Sequence, residues 1–173
     1  EAAFNYFVLE LDPKIKPYAF RLNQKLTECP FTKELDKSVF FPYLRSVANA
    51  IELYREENVP LQAELGVFAQ QYGVIAGSMT VEIENTEYTL QQAARFLQSP
   101  DRGLREEVFG KIAARRMEDI ASLDELFDKL LERRHKIAQN AGFANYRDYK
   151  FRELGRFDYT PEGCFAFHAA VRA

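Results

Sequence analysis

The sequence has no tryptophan, and only two cysteines and two histidines, in 173 residues. Each shortage excludes something. A small secreted domain stapled by disulfides carries more cysteine, so Cys29 and Cys164 read as thiols in a reducing compartment, and the cytoplasm is the expected location. Two histidines fall short of the three or four protein ligands of a zinc site. No apolar run approaches the roughly 18 residues that a membrane helix demands, so no membrane partner is expected. No secretory leader is visible. The glycines are scattered and form neither nucleotide-binding fingerprint, and no serine lies in a Gly-x-Ser-x-Gly setting. A net charge of −3 leaves no basic excess for a polyanion, and no nucleic-acid partner is expected.

What is present is helix-forming and aromatic. Hydrophobic residues make up 47% of the chain, with 15 Phe and 9 Tyr, enough for a sizeable core. The expected fold class is mainly α, a helical domain with one small β-hairpin near residues 78–89. Glu1 to Leu9 has no clear period and suits a strand or a short helix. Pro13 to Leu26 reads as a helix, ended at Cys29-Pro30 because the residue before a proline avoids the helical region. Lys37 to Glu57 is amphipathic, with Phe40, Leu44, Val47, Ile51 and Tyr54 at helical spacing. Asn58-Val59-Pro60 reads as a break before a helix from Leu61 to Tyr72.

Met79, Val81 and Ile83 then alternate with polar residues, which predicts a strand, and Asn85-Thr86 can turn the chain into a return strand. Thr89 and Gln92 fit a capping box for a helix running to Leu97. Ser99-Pro100-Asp101 is a further helix start, with the proline in the first turn. From Asp101 to Arg156 there is no proline. A stripe including Ile112, Met117, Ile120, Phe127 and Leu130 predicts a long, central helix from Asp101 to Ala138, about 55 Å if unbroken, with Phe127 in the core. Ser122 and Glu125 repeat the capping-box pattern, so an interruption there is allowed. Gly142 can stop that helix, Asn145 can cap a short one, and Thr160-Pro161 starts the last. The organisation expected is a helical segment over residues 1–75, the hairpin over 78–89, and long helices over 90–173, incomplete at the C-terminal end. Both ends read like interior sequence, so a piece of a larger protein is expected.

Chemistry is sparse. His135 sits among Arg133, Arg134 and Lys136, which repel a cation, and reads as a residue of a solvated helix face. His168 follows Cys164 by four residues, on the same helix face, but two ligands make no metal site and no third group completes a nucleophilic pair. No catalytic and no metal residue is assigned. Residues 145–159 interleave basic and aromatic side chains. Arg147, Lys150, Arg152 and Arg156 are nearly balanced by Asp148, Glu153 and Asp158, which argues against single-stranded nucleic acid.

The run Ile137-Ala-Gln-Asn-Ala-Gly-Phe-Ala-Asn-Tyr-Arg-Asp-Tyr-Lys-Phe151, with Gly155-Arg-Phe-Asp-Tyr-Thr-Pro-Glu162 and Cys164-Phe-Ala-Phe-His168, resembles oligoendopeptidase F. Gln71 to Val81, Glu87 to Ala93 and Asp101 to Val108 are similar to it in the same order, so the resemblance runs from about Phe40 to the end. More distantly, Ala141-Gly-Phe with Tyr146 and Tyr149 is similar to the thimet oligopeptidase superfamily. The resemblance implies the N-terminal helical lobe of a two-lobed zinc peptidase that cleaves short peptides in a deep channel. It implies that the zinc is bound by a His-Glu-x-x-His helix beyond Ala173, since neither His135 nor His168 begins such a motif. The partners implied are the C-terminal catalytic domain of the same protein and an oligopeptide substrate; the chain alone is expected to be inactive. Gly163 departs from the family, where a short acidic residue would support Thr160 as a cap. Arg147, Tyr149 and Arg152 are the candidates for lining the channel, because guanidinium and phenol groups suit peptide carbonyls and carboxylates. Packing is the competing role for each. The alternative function is a stand-alone helical interaction module using the Asp101–Ala138 helix.

Overall fold

A computed structural model describes residues 2–172. The fold is mainly α, with one two-stranded antiparallel sheet. Helix α1 (Ala2–Tyr6) continues through a π turn at Phe7–Leu11 into α2 (Asp12–Glu28), so the opening residues are helical. Pro13 lies in the first turn of α2, directly after the π turn. Cys29 is extended, the conformation favoured before a proline, and a 3₁₀ turn at Pro30–Glu34 follows. Asp36 then caps α3 (Lys37–Leu53) by accepting from the Ser38 N–H at 2.8 Å. Helix α4 (Asn58–Ser78) begins at Asn58, not after Pro60. The expected break there is corrected, because a proline in the first turn of a helix costs no hydrogen bond.

Strands β1 (Thr80–Ile83) and β2 (Thr86–Thr89) pair with Ile83 opposite Thr86. That register leaves Glu84 and Asn85 as the two-residue turn, both with positive φ, at 51° and 61°. A mirror-image turn of this kind matches the right-handed twist of the strands, so the turn lies one residue before the expected Asn85-Thr86. The capping box forms: Thr89 Oγ1 accepts from the Gln92 N–H, and the Gln92 side chain accepts from the Thr89 N–H. It starts α5 (Leu90–Ala93), which tightens to a 3₁₀ turn at Ala94–Gln98. Asp101 caps α6 (Arg102–Glu118), which leaves Pro100 outside the helix. Then come α7 (Ile120–Asn140), α8 (Tyr146–Glu153) and α9 (Pro161–Arg172).

The chain forms two compact units, one from Glu1–Leu65 with Glu132–Ala173 and one from Gly66–Leu131. In the second, Val81 and Ile83 project from one face of the hairpin onto Leu90 and Ala93 of α5 and Val108 and Ile112 of α6. Arg95 covers the rings of Tyr88 and Phe96, and Lys111 donates to the Glu82 carbonyl at 2.8 Å. In the first, Leu53 of α3 packs with Ile137, Ala138 and Ala141 at the end of α7 and with Tyr149 of α8. Cys29 and Cys164 are half-buried thiols.

The single long helix is not formed. It is interrupted at Asp119, whose carboxylate is held by Arg115 from the turn before and whose carbonyl accepts from the Leu123 N–H. Ile112 is buried and Leu130 half-buried as the stripe implies, but Met117 and Ile120, beside the interruption, are exposed. Phe127 is 57% exposed and Leu126 faces inward instead. A stripe counted through the break carries the wrong phase into α7. Truncating Phe127 to Ala should therefore change the stability of this chain by no more than about 0.5 kcal/mol. Ile137→Ala, in the core of the first unit, should cost about 2–5 kcal/mol. Urea denaturation of the two variants checks the pair; a larger loss from Phe127→Ala would restore the continuous stripe.

Candidate functional site

The first unit gathers most of its polar chemistry at the C-terminal end of α7. There the helix leaves backbone carbonyls without intrahelical partners. Gly142, at φ 87°, makes the left-handed turn that only glycine takes without strain. The Gly142 N–H then bonds the Gln139 carbonyl, and the Phe143 N–H bonds the Ala138 carbonyl. The Ala141 N–H bonds the Ile137 carbonyl at 3.1 Å, and side chains complete the set. Asn58, 1% exposed, donates to the Ile137 carbonyl at 3.0 Å and accepts from the Asn140 amide at 2.8 Å. Arg55 donates to the Asn140 carbonyl at 3.1 Å, placing its positive charge at the negative end of the helix.

Helix α8 is set against this end by a reciprocal cap. Asn145 Oδ1 accepts from the Asp148 N–H at 3.0 Å, and Asn145 Nδ2 donates to the Asp148 carboxylate at 2.8 Å. The Arg147 guanidinium, and then Asn145, hold the Asp148 carboxyl below the usual range. Arg147 itself points outward, paired with Asp148 at 2.8 Å and lying over the Phe165 ring. Arg152 donates to Glu52 of α3 and lies over Phe157. Tyr149 turns inward, 3% exposed, edge-on to Phe143 and stacked on Tyr146. Burial pushes its hydroxyl up to about 12, helped by the negative charge of Glu153.

A cavity of about 480 Å³ opens above Tyr149. Phe20 and Tyr54, stacked with centroids 4.2 Å apart, line it from α2 and the end of α3. Leu53, Leu154 and Phe157 add to its apolar surface, and Asn23, Asn49 and Gln62 line it with amides. Asn49 is 8% exposed; its Nδ2 donates to the Arg152 carbonyl at 2.9 Å, while its Oδ1 is buried with no hydrogen-bond partner. Of the three channel candidates, the cavity lining includes Tyr149 but neither Arg147 nor Arg152, whose carbonyl bonds the lining Asn49. Asn49, Asn58 and Arg55 were not singled out from sequence. Their signal is faint: polar residues in helical stretches, with Asn49 four residues before Leu53 on the buried face of α3.

His135 is exposed on α7 and His168 on α9. Among the described residues no three His, Cys, Asp or Glu side chains converge as metal ligands, so the donors present do not fit a zinc ion. No described helix is long and apolar enough to cross a membrane.

No family model matches the chain, and no curated protein matches it. Solved structures do. A candidate oligoendopeptidase F, solved at 3.1 Å, matches with a TM-score of 0.89 and 26% identity, over 96% of this chain and 29% of that one. PZ peptidase A with an inhibitor matches at 0.88 and 26% identity, over 96% of this chain and 30% of that one. A candidate oligoendopeptidase F from Bacillus anthracis str. Ames matches in fold at 0.88, with 24% identity, over 96% and 30%. The chain thus spans about 30% of the length of the structures it matches.

Tyr149 gives the site a pH signature. Its folded-state value, about 12, lies above the ordinary 10.0, so folding favours the neutral phenol. The resulting stability is complete below pH 10 and is lost as pH climbs from 10 toward 12. Tyr149→Phe should lose less stability than the parent over that interval, in parallel denaturant titrations. Identical pH profiles would place Tyr149 in solvent.

Proposed function

We propose that this chain, which is oligoendopeptidase F-like in fold, is the non-catalytic N-terminal helical lobe of a zinc-dependent oligopeptidase. The match over 96% of the chain carries this reading, together with the ordered resemblance from Phe40 onward. In it the lobe forms part of the wall of a channel that admits short peptides and excludes folded proteins. Its partners are the catalytic domain of the same polypeptide and the oligopeptide. Hydrolysis of internal peptide bonds belongs to the catalytic domain, in the cytoplasm. The zinc would be held by residues beyond Ala173, as the resemblance to oligoendopeptidase F implies.

The role of the wall is shape and polarity. Arg147 and Arg152 are the proposed contacts for peptide carbonyls or a terminal carboxylate, since a guanidinium presents paired donors to such groups. Each now neutralises a protein carboxylate, Asp148 and Glu52, so a peptide carboxylate would enter by exchange. Tyr149 is proposed to set the wall from behind, as its buried ring fixes α8. A second reading, a stand-alone interaction module, draws on the exposed Ile15, Tyr18 and Leu22 of α2. These lie at helical spacing along one face and would dock a separate protein. In the peptidase reading they dock the catalytic domain.

Two measurements on two proteins separate the readings. The 173-residue chain should carry no stoichiometric zinc and should leave fluorogenic peptides intact. The protein encoded by the uninterrupted reading frame should contain His-Glu-x-x-His after Ala173 and should bind zinc and cleave the peptides. Chelator-sensitive cleavage by the 173-residue chain would overturn the proposal, as would a frame without the zinc motif.

A further inference from the structure

We infer that the outer face of α2 docks a second copy of this chain, which presents the first half of its own α7. This inference stands apart from the peptidase reading, since it rests only on the two helix faces. Each face is an exposed apolar stripe with charge along one side. On α2 the stripe is Ile15, Tyr18 and Leu22; on α7 it is Ile120, Phe127 and Leu131. Beside the first lie Arg21 and Lys25, and beside the second Asp124 and Asp128, all four exposed. Among the described residues none of the four is in an ion pair; Arg21 reaches only the Pro17 carbonyl and the Tyr18 ring. Lys14 and Lys129, close to the stripes, are already paired with Glu10 and Glu125. The free charge is therefore positive on one face and negative on the other. Two α2 faces laid together would oppose like charges, so the complement of α2 is α7.

The hand of each face sets the direction of docking. Seen from the helix N-terminus, Arg21 and Lys25 lie about 70° anticlockwise of the α2 stripe, at 3.6 residues per turn. Asp124 and Asp128 lie about 60° clockwise of the α7 stripe. Surfaces that face each other are read in opposite senses, so these charges meet only when the two helices run in the same direction. One register then matches both sets. Ile15 meets Ile120 and Leu22 meets Phe127, with Tyr18 between them. Arg21 falls between Asp124 and Asp128, and Lys25 just beyond Asp128. A single helix-on-helix contact buries less than the roughly 1,200 Å² of stable complexes, so the association is a weak one.

The test is sedimentation equilibrium of the 173-residue chain. The parent should associate reversibly, with Kd on the order of 0.1 mM. Arg21→Glu with Lys25→Glu should weaken this about tenfold or more, by setting like charges together, and so should Asp124→Lys with Asp128→Lys. Both double variants should keep the parent's circular dichroism spectrum. An equimolar mixture of the two should associate as tightly as the parent, because the acidic α2 of one meets the basic α7 of the other. That rescue separates this contact from unfolding and from a contact elsewhere on the surface. A parent chain that stays monomeric up to about 1 mM would overturn the inference and leave the two faces to other partners. Association unchanged by the reversals, or not restored in the mixture, would overturn it as well.

Discussion

The first unit depends on how one helix end is closed. Helix α7 finishes inside the protein, and its last carbonyls have no partner within the helix. An unanswered buried carbonyl costs about 1–3 kcal/mol. Arg55 removes that cost at the Asn140 carbonyl, the N–H groups of Ala141, Gly142 and Phe143 remove it at Ile137, Gln139 and Ala138, and Asn58 adds a second bond at Ile137. Because Asn58 is also the first residue of α4, one buried amide joins the start of that helix to the end of another, 79 residues away in sequence. Ile137, Ala138 and Ala141 are thereby presented to Leu53 and Tyr149, and the core closes around them.

The consequence is a firmly held α8. Helix α8 follows the closed end by a short turn and is capped by Asn145, so the directions of Arg147, Tyr149 and Arg152 are set by backbone geometry. Tyr149 faces the core and Arg147 faces out because they are two residues apart on a helix, about 200° around its axis. Arg152 ties the same helix to α3 through Glu52, and Asn49 ties it again through the Arg152 carbonyl.

Local signals carried much of this fold into the sequence. The Thr89–Gln92 box, the Asn145 cap and the Gly142 stop each depend on local side chains or the lack of one, and each lies where the chain spells it, whereas the helix read as starting at Ser99-Pro100 begins two residues later, capped by Asp101. The hairpin was legible from its alternation; its turn was off by one residue, because the Ile83–Thr86 pairing, not turn propensity, decides which two residues are left over. The interruption was legible only as an allowed break at the Ser122–Glu125 capping pattern; it falls three residues earlier, at Asp119, where no proline or glycine marks it and Arg115 holds the carboxylate. Phe127 was misassigned as a direct result. At the candidate site, α8 drew notice by its residue types. The groups that fix it, Asn49, Arg55 and Asn58, come from distant stretches, and a buried amide looks the same in sequence as an exposed one.

The central claim is that the Asn58 contact to α7 holds the first unit together. Native-state hydrogen exchange of Asn58→Ala tests it most directly. If the claim is right, protection should fall by about tenfold or more, equivalent to about 1.4 kcal/mol, together for the amides of Ile137, Ala141 and Tyr149. A loss confined to the first turn of α4, with Tyr149 as protected as in the parent chain, would contradict it.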